Sequence, residues 1–319
     1  MTDEIDAQIK SPQGTGRVHK LVYTCPVDHV GTSVFVKGWL IPGKQKRPVI
    51  LVHDLGETAD QLSDCALRLA KLDYSVYSFD MRGHGQSGRR LGHVPSFHQL
   101  SMDLLQVVAW VRHKEQGRRP VIVAQGMGAL VALFFARGYH KYCSSMVLIS
   151  PIFVLKDTIE PFRRFLIKKL ADFFPTMMIP KKLCPVFTYT FDEEKHQRIY
   201  PRISTLLAHE LLNAVAQARK LLNRHKVPTL FLCPSGDEIC HYDFLKKLLQ
   251  KPKHKDRHRL TFLELNHHQL LSASDEVLQI LDGPLIEWLE ISEQRQNPEV
   301  PLKLPDIGQP VELAAGGGD

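Results

Sequence analysis

Six short segments along this chain read as strands, the first of them an apolar run. They are PVILVHD (48–54), SVYSFDMRG (75–83), VIVAQ (121–125), SMVLISP (145–151), VPTLFLCPSGDE (227–238) and RLTFLEL (259–265). A strand can be apolar on both sides only if both faces of its sheet are covered, which is the condition of a parallel sheet between helix layers. Helical spacing follows these segments over 60–72, 96–114, 127–139, 242–250 and 274–292. Strand–helix alternation of this kind predicts an α/β domain with a mostly parallel central sheet.

Two departures shape the expected architecture. RVHKLVYTCP (17–26) and TSVFVKGWLIP (32–42) are β-rich and separated by a short Asp- and Gly-containing stretch, which predicts an N-terminal antiparallel hairpin. Residues 152–225 lose the alternation and hold helix-like pieces broken by Pro161, Pro175, Pro180, Pro185 and Pro201, so they read as an inserted helical cap. The expected layout is an N-terminal extension (1–16), a core (17–151 and 226–292), the cap (152–225) and a flexible C-terminal tail (293–319) rich in Pro and polar residues and closing on AAGGGD. A chain of 319 residues is long enough for one such domain with an insertion.

Composition excludes several classes. No apolar run approaches the length of a membrane span, and the polar, acidic N-terminus does not resemble a secretory signal, so a cytoplasmic location is expected. The six cysteines form no C-x-x-C pair and read as free thiols. The net charge of +7 is concentrated partly in KDTIEPFRRFLIKK (156–169) and KKLLQKPKHKDRHR (246–259). The second run reads as a solvated face. The first alternates its charges with Phe162, Phe165, Leu166 and Ile167, a pattern suited to peripheral contact with a membrane surface or to a hydrophobic substrate mouth. Nucleic acid is not an expected partner. The histidines show no metal-ligand spacing, and neither a metal nor an organic cofactor is implied.

The chemistry sits at the turns after the strands. VHDLGE (52–57) is a tight turn whose backbone N–H groups could line half of an oxyanion hole. FDMRGHGQSG (79–88) reads as a loop in which Asp80, Arg82 and His84 are structural. The strand VIVAQ runs into the turn Ala124–Gln125–Gly126–Met127–Gly128. Hydrolases place G-x-S-x-G at such a turn, and here glycine holds the middle position. A dinucleotide-binding reading fails because Val131 stands where a third glycine is needed. Asp237 lies in PSGDEIC and His268 in ELNHHQLL, each at the end of a late strand. A carboxylate followed by a histidine in that order fits a nucleophile–acid–base triad, in which the acid orients the imidazole.

Taken in order, VHDLGE, FDMRGHGQSG, VPSF (94–97), VIVAQGMGAL, LISP, PSGDE and NHHQLL resemble the α/β-hydrolase superfamily. Within it the chain is similar to the monoacylglycerol lipase and lysophospholipase group, the serine aminopeptidase-like hydrolase domains, over roughly residues 17–292. The resemblance implies an α/β-hydrolase fold and a carboxylic ester hydrolase acting on an acyl ester or lipid such as an acyl glycerol or lysophospholipid. It places the nucleophile at Gly126, the triad acid at Asp237 and the base at His268, with His267 as the alternative base and the N–H groups of Leu55 and Met127 as oxyanion donors. Asp54 stands where glycine is common and is expected to point outward. Neither Ser87 nor Ser235 replaces the missing serine. Two functional readings stay open: an esterase crippled at its nucleophile, or a non-catalytic pseudo-hydrolase that binds a ligand or a protein. Gly126 itself could be natural or an introduced knockout.

Overall fold

A computed structural model describes residues 5–7, 18–28, 31–41, 46–87, 90–156, 160–180, 202–266 and 268–295. Nine strands form one sheet: β1 (Ile5–Ala7), β2 (Val18–Pro26), β3 (Ser33–Leu40), β4 (Val49–Val52), β5 (Val76–Phe79), β6 (Val121–Gln125), β7 (Ser145–Ile149), β10 (Thr229–Pro234) and β11 (His258–Leu263). Their order is β1-β2-β3-β5-β4-β6-β7-β10-β11. β1, β2, β3 and β5 pair antiparallel in succession, and every pairing from β5 through β4 to β11 is parallel. The expected hairpin is β2–β3; β1, inside the N-terminal extension, was not anticipated.

The two-residue period of each central strand sends alternate side chains to opposite faces. Val49 and Leu51 of β4 and Val121 and Val123 of β6 join one buried cluster. That cluster also holds Leu69 of α1 (Ser63–Lys71) and Leu281, Leu285 and Trp288 of α8 (Asp275–Gln294). Ile50, Val52, Ile122 and Ala124 join the other. There they meet α2 (Phe97–Lys114), α3 (Gly126–Tyr139) and α5 (Thr205–Asn223) through Leu104, Leu130 and Leu211. Each fully buried aliphatic side chain of this kind contributes about 1.5–3 kcal/mol, so the two-sided core fixes both the register and the strand order.

Between β7 and β10 lie α4 (Pro161–Phe173), α5 and a two-stranded antiparallel pair, β8 (Met178–Pro180) with β9 (Arg202–Ser204). Pro161 does not break a helix. It starts α4 at a first-turn position, where its missing N–H costs nothing. Pro185 and Pro201 lie outside the described residues. α5 is tied down on α2, where the Phe97 N–H donates to Glu210 Oε2 at 2.8 Å. The short α6 (Asp243–Leu249) and α7 (Pro252–Lys255) connect β10 to β11.

The chain leaves β4 for β5 on one side and returns through α2 to place β6 on the other. β4 feeds α1 on one face and β6 feeds α3 on the opposite face. Loops that part in this way leave a crevice at the carboxyl ends of the two strands.

Candidate active site

Four strand ends meet at this crevice. After β10, Asp237 is buried and fully engaged. Its Oδ1 accepts from the N–H groups of Ile239 (2.8 Å) and Cys240 (3.2 Å), and its Oδ2 accepts from the Tyr242 hydroxyl and from His268 Nδ1 (2.9 Å). Burial pushes the Asp237 carboxyl up, but the His268 hydrogen bond and charge, with the Tyr242 and Ile239 donors, outweigh it and hold the group below the usual range. Asp237 is therefore ionised, so His268 Nδ1 carries the proton and Nε2 is turned toward Asp54. Burial alone would lower the His268 pKa. The Asp237 hydrogen bond and charge, followed by the charges of Asp54 and Glu57, raise it instead.

The other half of the crevice is built differently. Gly126 begins α3 with φ +54°, the left-handed region that favours glycine. Asp54, after β4, is fully buried and points inward. Its Oδ1 accepts from two backbone N–H groups at once, Leu55 at 2.7 Å and Met127 at 2.6 Å. The expectation that Asp54 points outward is thus overturned. Two converging amides and the N-terminus of a 14-residue helix form an anion site, and the side chain long enough to reach it is that of Asp54. The remaining oxygen, Oδ2, has no hydrogen-bond donor among the described residues and lies 3.8 Å from His268 Nε2. Burial raises the Asp54 pKa against the opposition of His268 and the two amides.

Asp54 also explains the glycine. A Cβ at residue 126 would fall 2.1 Å from Asp54 Cγ and 2.1 Å from Oδ1, far inside any real contact. The Asp54 carboxylate fills the space that a side chain at 126 would need. Gly128, two residues on, lets α3 begin close against β4: a Cβ there would lie 2.5 Å from the His53 carbonyl oxygen.

A buried network joins the two halves. Glu57 Oε2 accepts the Asp54 N–H at 2.8 Å, and Glu57 also accepts from Gln125 Nε2 and from the Ser272 hydroxyl. Gln125 Oε1 accepts the N–H groups of Leu270 and Leu271, both at 2.7 Å, which pins the loop that carries His268. Burial, then the Asp54 charge, pushes Glu57 up to about 7. His53 braces the same turn: Nε2 accepts from the Met81 N–H at 2.9 Å and Nδ1 donates to the Asp54 carbonyl at 2.6 Å. Burial lowers its pKa to about 4, so it stays neutral.

The other expected residues fall into place around this centre. Asp80 accepts from the N–H groups of Ala59 and Gln86, both at 2.7 Å, and Arg82 forks onto Asp103 and reaches Asp28, so this loop is structural. Ser87 Oγ accepts the Phe35 N–H at 2.6 Å and Ser235 donates to the Leu263 carbonyl, which spends both hydroxyls on the backbone. His267 lies outside the described residues. Cys25, Cys65, Cys143, Cys233 and Cys240 are buried free thiols. Burial pushes the first three to about 12, which makes them inert. Cys240 lies near Asp237 and His268, and the three could converge on one ion. The carboxylate and imidazole of that group are bonded to each other, as a triad requires. Glu57, Gln125, Ser272 and Tyr242 were not singled out in the sequence, since only the folded loops bring them together.

Residues 43–275 match the family described as "Serine aminopeptidase, S33". The human monoglyceride lipase is 26% identical over 269 residues, an alignment spanning 81% of this chain and 87% of that protein. Among solved structures, a monoacylglycerol lipase of Paleococcus ferrophilus superposes with TM-score 0.66 at 21% identity, covering 81% of this chain and 99% of that one. A soluble variant of the monoglyceride lipase of Saccharomyces cerevisiae, in complex with a substrate analog, gives TM-score 0.68 at 18% identity over 83% of this chain and 94% of that one.

Proposed function

The chain belongs to the serine aminopeptidase S33 family of α/β hydrolases, and from that premise we propose that it is a monoglyceride-lipase-type protein in which the serine route to ester hydrolysis is closed. The observation that carries this reading is the pair of amide hydrogen bonds to Asp54 Oδ1. In a serine hydrolase those two N–H groups receive the oxyanion of the tetrahedral intermediate. Here they hold a resident carboxylate, and the attacking atom is missing as well. Loss of the nucleophile alone costs a serine hydrolase about 10⁶ in kcat, or roughly 8 kcal/mol of barrier reduction. Occupation of the hole removes much of what would remain.

Asp54 and Gly126 suit each other and conflict with any side chain at 126. An isolated serine-to-glycine exchange would leave behind an Asp54 that such a serine could not have tolerated in this position. We therefore read both positions as one natural exchange rather than an introduced knockout.

The ligand class we assign is a lipid with an aliphatic chain, taken at a membrane surface. α4 supports the surface contact. Phe162, Phe165, Leu166 and Phe173 form one exposed apolar stripe, with Phe162 75% and Phe173 72% exposed, while Ile167 and Ala171 pack inward. Arg163, Arg164 and Lys169 flank the stripe, which suits an anionic lipid surface. No helix among the described residues is long and apolar enough to cross a membrane.

The test is an esterase assay with a monoacylglycerol and a short acyl p-nitrophenyl ester. Four proteins are compared: the unmodified chain, G126S, D54G and the double variant D54G/G126S. Only the double variant is expected to turn over, by about 10³-fold or more above the unmodified chain. Turnover by the unmodified chain, or by G126S alone, at the rate of the double variant would refute the reading.

A further inference from the structure

We propose that a basic cleft between the C-terminal ends of α3 and α5 binds a compact polyphosphate, carried by a soluble molecule or by a lipid headgroup. The cleft has a volume of about 410 Å³, within the range of small-molecule sites. It is separate from the crevice. Gly126 opens the 14-residue α3, and the cleft lies at the other end of that helix, about 20 Å along its axis.

Helical spacing builds it. Leu133, Arg137 and His140 follow one another at four and three positions, and Gln217, Lys220 and Arg224 at three and four. Each set therefore lies on one face of its helix, and the two faces meet across the cleft. His140 and Arg224 cap the C-terminal ends of α3 and α5. Lys226 lines the cleft from the segment that leads into β10.

The charge there is one-sided. Arg137, Lys220, Arg224 and Lys226 line the cleft, and no carboxylate does. None of these four has an ion-pair partner among the described residues, whereas Arg68, Arg82, Arg118 and Arg259 each face a carboxylate. Lys220 and Arg224 stand four apart, where like charges repel each other and weaken a helix. Cations are favoured at a helix C-terminus, but each end carries only about half a negative charge, so the two ends offset roughly one of the four. A ligand with several negative charges would neutralise the rest. His140 lies in the same field: burial, then the charges of Lys226, Lys141 and Arg119, lower its pKa.

The cleft is also held in shape. Leu133 and Ala136 give it a buried apolar wall. The Thr229 hydroxyl donates to the Val227 carbonyl at 2.9 Å and so accepts from the buried His225 Nε2 at 2.7 Å. The N–H groups of Arg224 and His225 donate to the Leu221 and Leu222 carbonyls at 3.0 and 3.1 Å. These bonds fix the segment that carries two of the four cations. Phosphate suits such a set. An arginine guanidinium can take two oxygens of one phosphate, and a lysine ammonium adds a point charge. A single carboxylate would leave most of the excess charge in place.

The experiment titrates the full chain with inorganic triphosphate, by calorimetry and by NMR of the His140 ring. The proposal expects binding that weakens as salt is raised. His140 should titrate at higher pH in the complex, since an anion in the cleft favours its imidazolium. Lys220→Gln with Arg224→Gln should weaken binding by about tenfold or more. Lys247→Gln with Lys255→Gln removes the same charge from exposed positions outside the cleft, and should change binding by no more than about twofold. A second arm compares sedimentation with vesicles that contain a phosphatidylinositol bisphosphate and with vesicles matched in charge by phosphatidylserine. Preference for the bisphosphate vesicles that the Lys220/Arg224 pair abolishes identifies a lipid headgroup as the carrier; equal retention on both identifies a soluble one. Absence of both binding heat and a His140 shift, or equal weakening by the two variant pairs, would overturn the proposal. Ester turnover does not enter this test, so the closed serine route stands or falls separately.

Discussion

The loops after β10 and β11 and the loops after β4 and β6 face each other across one crevice, yet they follow different rules. On the first side, a carboxylate saturated with donors holds a histidine in one tautomer, the arrangement a triad needs. On the second side, the two backbone amides converge as an oxyanion hole does, but their ligand is a side chain of the protein itself. A carboxylate stands at 54, residue 126 has no side chain, and the carboxylate fills the space that a Cβ at 126 would need. Backbone geometry and side-chain chemistry are therefore separate facts at this site.

The comparison is sharpened most strongly by disabling the intact side after the exchanged side has been repaired. In the D54G/G126S background, Asp237→Asn is expected to lower kcat by about 10⁴, because the imidazole loses its oriented tautomer. Ester kinetics with the same substrates measure this. A loss of less than tenfold would mean that Asp237 is not the orienting acid.

A smaller effect concerns the network between the sides. The carboxyl of Glu57 is raised from 4.5 to about 7 in the folded protein. A raised carboxyl binds its proton more tightly in the folded state than in the unfolded one. Its contribution to stability is therefore present at low pH and is lost as pH rises from about 4.5 through 7, the reverse of an ion-paired carboxylate. Glu57→Gln should flatten that part of the stability curve, read by chemical denaturation at several pH values. An unchanged slope would contradict the assignment.

The smallest effect is at the periphery. Phe162→Ser with Phe173→Ser should weaken binding to vesicles that contain anionic lipid. Each exposed ring removed is worth about 1–2 kcal/mol of partitioning, with little change in melting temperature. Binding as tight as that of the unmodified chain would remove α4 from the membrane contact.

Much of this was legible in the residues. The apolar run at 48–54 and the strand–helix alternation after it point to a parallel sheet between helix layers, and the turns after three strands mark Gly126, Asp237 and His268 by chain order. Asp54 was visible as an unusual residue but not in its direction. A carboxylate after a tight turn ordinarily seeks solvent, and only the folded pair of amides, one from residue 55 and one from residue 127, makes the interior the better place. Gln125 was read as one residue of a buried strand, although its side chain pins two amides that lie 145 and 146 positions away in the chain. Pro161 opens α4 rather than breaking a helix, because proline disrupts a helix only beyond its first turn.

The central claim is the position of one carboxylate, and a crystal structure of the unmodified protein at atomic resolution tests it most directly. The account predicts continuous density for Asp54 entering the crevice, with Oδ1 within hydrogen-bond distance of the Leu55 and Met127 nitrogens and Oδ2 facing His268. Density showing Asp54 turned outward, with water on the two amides and open space beside Gly126, would contradict it.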